Sequence, residues 1–90
     1  MPKAIVSPRE LERFADTLDQ IASNVTHKRK DKTRLVNEAG YVWKDAKYER
    51  FRKVFADTAA ELDRFAKRAR DYSAFLRAKA GKARKYLDNR

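Results

Sequence analysis

Along the first half of the chain apolar side chains return every three or four positions: Leu11, Phe14, Leu18, Ile21 and Val25 follow steps of 3, 4, 3 and 4. That spacing places them on one stripe of a helix and matches no strand alternation. The same count continues to Lys28, Lys32, Leu35 and Ala39, so the stripe is apolar at both ends and basic in the middle. In the second half the register is longer and stricter. Tyr48, Phe51, Phe55, Thr58, Leu62, Phe65, Ala69, Tyr72, Leu76, Lys79, Ala83 and Tyr86 alternate steps of 3 and 4 without a slip, which is a sustained heptad pattern.

Capping signals bound both helices. In "SPRELERF" Ser7 can accept from the first free amides, Pro8 suits the first helical position, and Glu10 can complete a capping box. Helix 1 is therefore expected over about 8–39, with Gly40 just past its end in the left-handed conformation that glycine tolerates. The elbow occupies 40–44, Asp45 can cap the next helix, and helix 2 is expected over about 45–87. The stretch "SNVTHKRKDKT", residues 23–33, is the poorest in helix formers, and a break there would give three helices in one chain. Gly81 is a place where helix 2 could bend or fray.

Two helices joined by so short an elbow must lie antiparallel. The predicted fold is all-α, a single domain over 1–90 forming an antiparallel two-helix hairpin of coiled-coil type. Each helix of a lone hairpin has one neighbour, so part of each stripe stays wet. A second hairpin, completing a four-helix bundle, is the expected cover. The candidate partner-binding residues are Leu11, Phe14, Leu18, Ile21, Val25, Phe51, Phe55, Leu62, Phe65, Tyr72 and Leu76.

Composition excludes several chemistries. With no cysteine and one histidine among 90 residues, disulfides, thiolate metal sites and histidine metal clusters are ruled out. His27 lies in the lysine-rich "THKRKDK" and reads as a surface residue, and no glycine-rich phosphate loop is present. Asp57, Glu61 and Asp63 sit beside basic residues at helix spacing, Glu61 with Arg64 and Asp63 with Lys67, where surface ion pairs are expected. The chain reads as non-enzymatic, with no catalytic residue, metal or cofactor. "MPKAIVSPRE" has no long apolar core or small-residue cleavage site, and no run approaches the roughly 18 apolar residues of a membrane span. The expectation is a cytoplasmic protein, or one secreted without a Sec signal peptide.

The net charge of +10 is concentrated in residues 64–90, which carry 10 basic and 2 acidic side chains. Arg64, Lys67, Arg68, Arg77, Lys82, Arg84 and Lys85 spread over the helix surface outside the stripe. Such a surface can track phosphates, so a basic helical module binding nucleic acid or another anionic surface is the alternative reading. No helix-turn-helix or zinc finger accompanies it, and Phe65, Tyr72 and Tyr86 fall on the stripe, where packing is expected to occupy them. The charge also suits an acidic helical-hairpin sister protein, or an acidic surface of a larger secreted protein, while repelling a second copy.

The elbow carries a family resemblance. Gly40, Trp43 and Asp45, followed by Tyr48 and the Phe51/Phe55 pair in a hairpin running from Leu11 to Tyr86, resemble the Trp-x-Gly (WXG, ESAT-like) small proteins of type VII secretion. In that family's pattern a glycine stands two residues after the tryptophan, and here the position holds Asp45. Secreted members often carry a Tyr-x-x-x-Asp/Glu signal after the second helix, whereas Tyr86 is followed four residues on by Arg90. The one Tyr-x-x-x-Asp, Tyr41 to Asp45, lies in the elbow. The resemblance implies a homo- or heterodimeric partner, adaptor or substrate in a type VII-like secretion system.

Overall fold

The computed structural model describes residues 7–88 as two helices, α1 (Pro8–Ala39) and α2 (Ala46–Asp88), packed antiparallel along a rod of 68 × 21 × 16 Å. Residues 1–6 and 89–90, including Arg90 of the tyrosine-signal comparison, lie outside the described residues. Helix α1 starts where the capping signal places it: the amide of Glu10 donates to Ser7 Oγ at 3.3 Å and Pro8 opens the helix. It then runs unbroken through 23–33, so the three-helix arrangement does not form. Thr33 Oγ1 turns back to the Arg29 carbonyl at 2.9 Å within the turn, which spares it from competing with the helix. Helix α2 likewise continues through Gly81 to Asp88.

The end of α1 departs from expectation. Gly40 has φ −64° and ψ −17°, a right-handed conformation open to any residue, and no described glycine has positive φ. The helix closes instead by a tightened last turn, in which Gly40 donates to Asn37, Tyr41 to Glu38, and Val42 and Trp43 to Ala39. The Val36 carbonyl accepts from the Tyr48 hydroxyl at 2.8 Å. All four terminal carbonyls are thus satisfied without a left-handed residue. Asp45 caps α2 as expected, Oδ1 accepting from the Tyr48 amide at 3.0 Å.

The seam between the helices is built of small residues. Ala15, Ala22, Ala66, Ala69, Ser73 and Ala80 are buried, and Tyr48 closes the elbow end at 5% exposure. Ala22, Ala66 and Ala69 form the central cluster, with Val25 packed against it. Small side chains at seven-residue spacing, Ala15 and Ala22 on α1 and Ala59, Ala66, Ser73 and Ala80 on α2, let the two backbones approach closely.

This corrects the packing expected for the aromatic row. The heptads contain a shared row, Leu11, Leu18 and Val25 with Tyr48, Phe55, Leu62, Ala69, Leu76 and Ala83. On one side of it runs the small-residue row that enters the seam. On the other runs the row Phe14, Ile21, Lys28 and Leu35 with Phe51, Phe65 and Tyr72, which stays outside. Phe65 is 48% exposed, Tyr72 64% and Tyr86 73%, so these rings are not occupied by packing within the hairpin.

Candidate functional site

The outer rows step the same way round their helices from the shared row. Reversing a helix in an antiparallel pair also reverses its side of the seam, so the two rows open on one face of the hairpin. That face carries Phe14, Ile21 and Leu35 from α1 with Phe51, Leu62, Phe65 and Tyr72 from α2, all exposed, while Leu11, Leu18, Val25, Phe55 and Leu76 of the shared row are half-buried beneath them. Every residue expected to bind a partner therefore lies on this face or at its floor. In isolation the face leaves these large apolar side chains exposed along one side of the rod, and a clustered apolar face of this kind marks an interaction surface.

At the elbow the face is closed by a run of aromatic rings in edge-on and tilted contact. Trp43 meets Tyr48 edge-on with centroids 5.4 Å apart and lies 5.8 Å from Phe51, which in turn is 6.4 Å from Phe55. Trp43 remains 38% exposed, so it caps the end of the hairpin and extends the apolar face at once. Gly40, Trp43 and Asp45 are brought together around an open notch of about 430 Å³ that Tyr48 backs. Midway along, Val25, Lys28, Arg29, Lys32, Phe55 and Leu62 line a groove of about 260 Å³.

The opposite face is ionic. Arg29 Nε meets Asp63 Oδ1 at 2.8 Å, Arg77 Nη2 bridges Asp16 Oδ1 at 2.8 Å and Asp19 Oδ2 at 2.6 Å, and Arg84 pairs with Glu12. Each of these pairs joins α1 to α2, so the charge latches the hairpin on the side where no apolar row emerges. The hydrogen bond from Arg77, then that from the buried Ser73, holds the Asp19 carboxyl below its ordinary value of 3.8. Asp63 pairs across the helices with Arg29 rather than along α2 with Lys67, which instead meets Asp71 at 3.1 Å.

The latches bear on the basic surface. Of its expected members, Arg77 and Arg84 are spent on α1 carboxylates and Lys67 on Asp71, leaving Arg64, Arg68, Lys82 and Lys85 without an ion-pair partner among the described residues. A surface that could track phosphates is thus thinner than the charge count suggests. Sequence reasoning missed the latches and the alanine seam. Their signal was present as Arg77 and Arg84 seven residues apart on α2 and Glu12, Asp16 and Asp19 clustered on α1.

Among the described residues there is no group of three His, Cys, Asp or Glu side chains that could hold a metal ion, and no helix is long and apolar enough to cross a membrane. No family model matches the chain, and no curated protein matches it.

Proposed function

We propose that this chain is a non-enzymatic binding partner whose outer apolar face is covered by a second helical hairpin, giving a four-helix assembly. The observation that carries the reading is the division of the heptads: alanines and Ser73 satisfy the seam within the chain, and the large side chains from Phe14 to Tyr72 are left outside on one face. Covering each large side chain fully contributes about 1.5–3 kcal/mol before ordering entropy is set against it. On the ionic face opposite, Arg29, Arg77 and Arg84 are already paired with carboxylates of the other helix, so it offers less to gain. By resemblance of the hairpin and of Gly40, Trp43, Tyr48, Phe51 and Phe55 to the Trp-x-Gly family, the assembly serves a type VII-like secretion system, with this chain as partner, adaptor or substrate.

Light scattering on the protein purified from the cells that make it, with absorbance at 260 and 280 nm and a repeat in high salt, tests this. The expected species is free of nucleic acid, has about twice the mass of the hairpin, and persists in salt. A monomer carrying nucleic acid that salt strips away would overturn the reading and favour a basic nucleic-acid-binding module.

A further inference from the structure

The α1 side of the apolar face is interrupted at one place, whereas the outer row of α2 is broken by Thr58 and, near its end, Lys79. Where the α1 stripe passes residues 28 and 32 it carries lysines, which with Val25, Phe55 and Leu62 line the midway groove. Among the described residues neither ammonium stands within ion-pair distance of a carboxylate, because the cross-helix pairs are made by Arg29, Arg77 and Arg84. On the adjoining edge of α1, Asp31 and Glu38 are both held by Arg34, at 2.8 Å each. The stripe itself, on both helices, contains no acidic residue.

We propose that Lys28 and Lys32 select the partner: the hairpin covering this face carries carboxylates opposite the groove, and it is not a second copy of this chain. The proposal rests on the reading that a hairpin covers the face. Two copies brought face to face would enclose four lysines in one apolar seam, whose stripe residues supply no carboxylate to meet them. An ammonium withdrawn from water without a partner is strongly unfavourable. A carboxylate placed over the groove turns the same burial into a charge-assisted hydrogen bond. The net charge of +10 works in the same direction, slowing the encounter of two copies and speeding that with an acidic mate.

Sedimentation of the full chain tests this with three versions: wild type, Lys28→Leu with Lys32→Leu, and Lys28→Glu with Lys32→Glu. All four substitutions are at exposed positions, and circular dichroism checks that the helices are retained. Wild type and the double glutamate variant are each expected to stay monomeric at micromolar concentration, while their mixture forms a 1:1 complex. The double leucine variant is expected to self-associate at least about tenfold more tightly than wild type, as follows when unpaired charge leaves an apolar seam. A wild-type dimer as tight as that of the leucine variant, with no preference for the glutamate chain, would overturn the partner assignment and leave pairing through this face intact. Monomers throughout, the leucine variant and the mixture included, would overturn both.

Discussion

The hydroxyl of Tyr48 occupies the space that a side chain on Gly40 would need: a Cβ built on Gly40 would stand 2.8 Å from Tyr48 Oη and 3.2 Å from the Asn37 carbonyl. Glycine at the elbow therefore serves close approach, and what approaches is the donor that satisfies Val36 and fastens the start of α2 to the end of α1. Gly40→Ala is expected to destabilise the hairpin by about 1 kcal/mol, the loss of that hydrogen bond outweighing the alanine's smaller unfolded-state entropy. Tyr48→Phe removes the same bond, so the double variant should cost less than the sum of the two by roughly 0.5–1 kcal/mol. Urea unfolding of the four proteins measures the coupling. Simple additivity would mean the two positions act separately.

Adjacent residues on α2 have opposite fates, and this separates folding from assembly. Ala66 is 1% exposed in the seam, so Ala66→Leu is expected to overpack it and destabilise the hairpin by about 1–3 kcal/mol. Phe65→Glu lies outside and should change the unfolding free energy of the dilute monomer by no more than about 0.5 kcal/mol while abolishing assembly. Denaturant midpoints of the two variants, and sedimentation of each mixed with the Lys28→Glu, Lys32→Glu chain, check the contrast. A Phe65→Glu chain that unfolds early would place Phe65 in the seam instead.

The ionic face makes stability depend on acid. With its pKa depressed below 3.8 in the folded chain, Asp19 contributes stability in full above that value, and the contribution is lost as pH falls through the lowered folded value. The thermal midpoint should therefore drop in strong acid, by less in Asp19→Asn. Melting curves between about pH 5 and about pH 2 compare the two. An identical acid response would mean that Arg77 does not hold Asp19 in solution.

Much of this arrangement was legible in the chain. Ser7, Pro8 and Glu10 gave the start of α1, Asp45 the start of α2, and the steps of 3 and 4 gave two helices that one short elbow obliges to lie antiparallel, while the continuity of α1 through 23–33 was left open. The rotation of each helix was harder to read. Large side chains at heptad spacing mark an apolar stripe, yet they do not say which edge of it faces the sister helix and which stays exposed. Ala59, Ala66, Ser73 and Ala80 answer that, because repeated small residues mark close backbone approach, but alanine adds little to a hydrophobic pattern and reads as filler. Gly40 misled for a related reason. Its need for space depends on where Tyr48 lies, a tertiary fact that local turn chemistry does not contain.

In the proposed assembly a helical partner covers the face bearing Phe65 and leaves the face bearing Arg84 free. A photoreactive phenylalanine analogue placed at residue 65, and separately at residue 84, in the cells that make the protein tests it most directly. The expected result is a conjugate from residue 65 with a second small helical-hairpin chain, and none from residue 84. Conjugation to that chain from residue 84 and not 65, or to nucleic acid from residue 65, would contradict it.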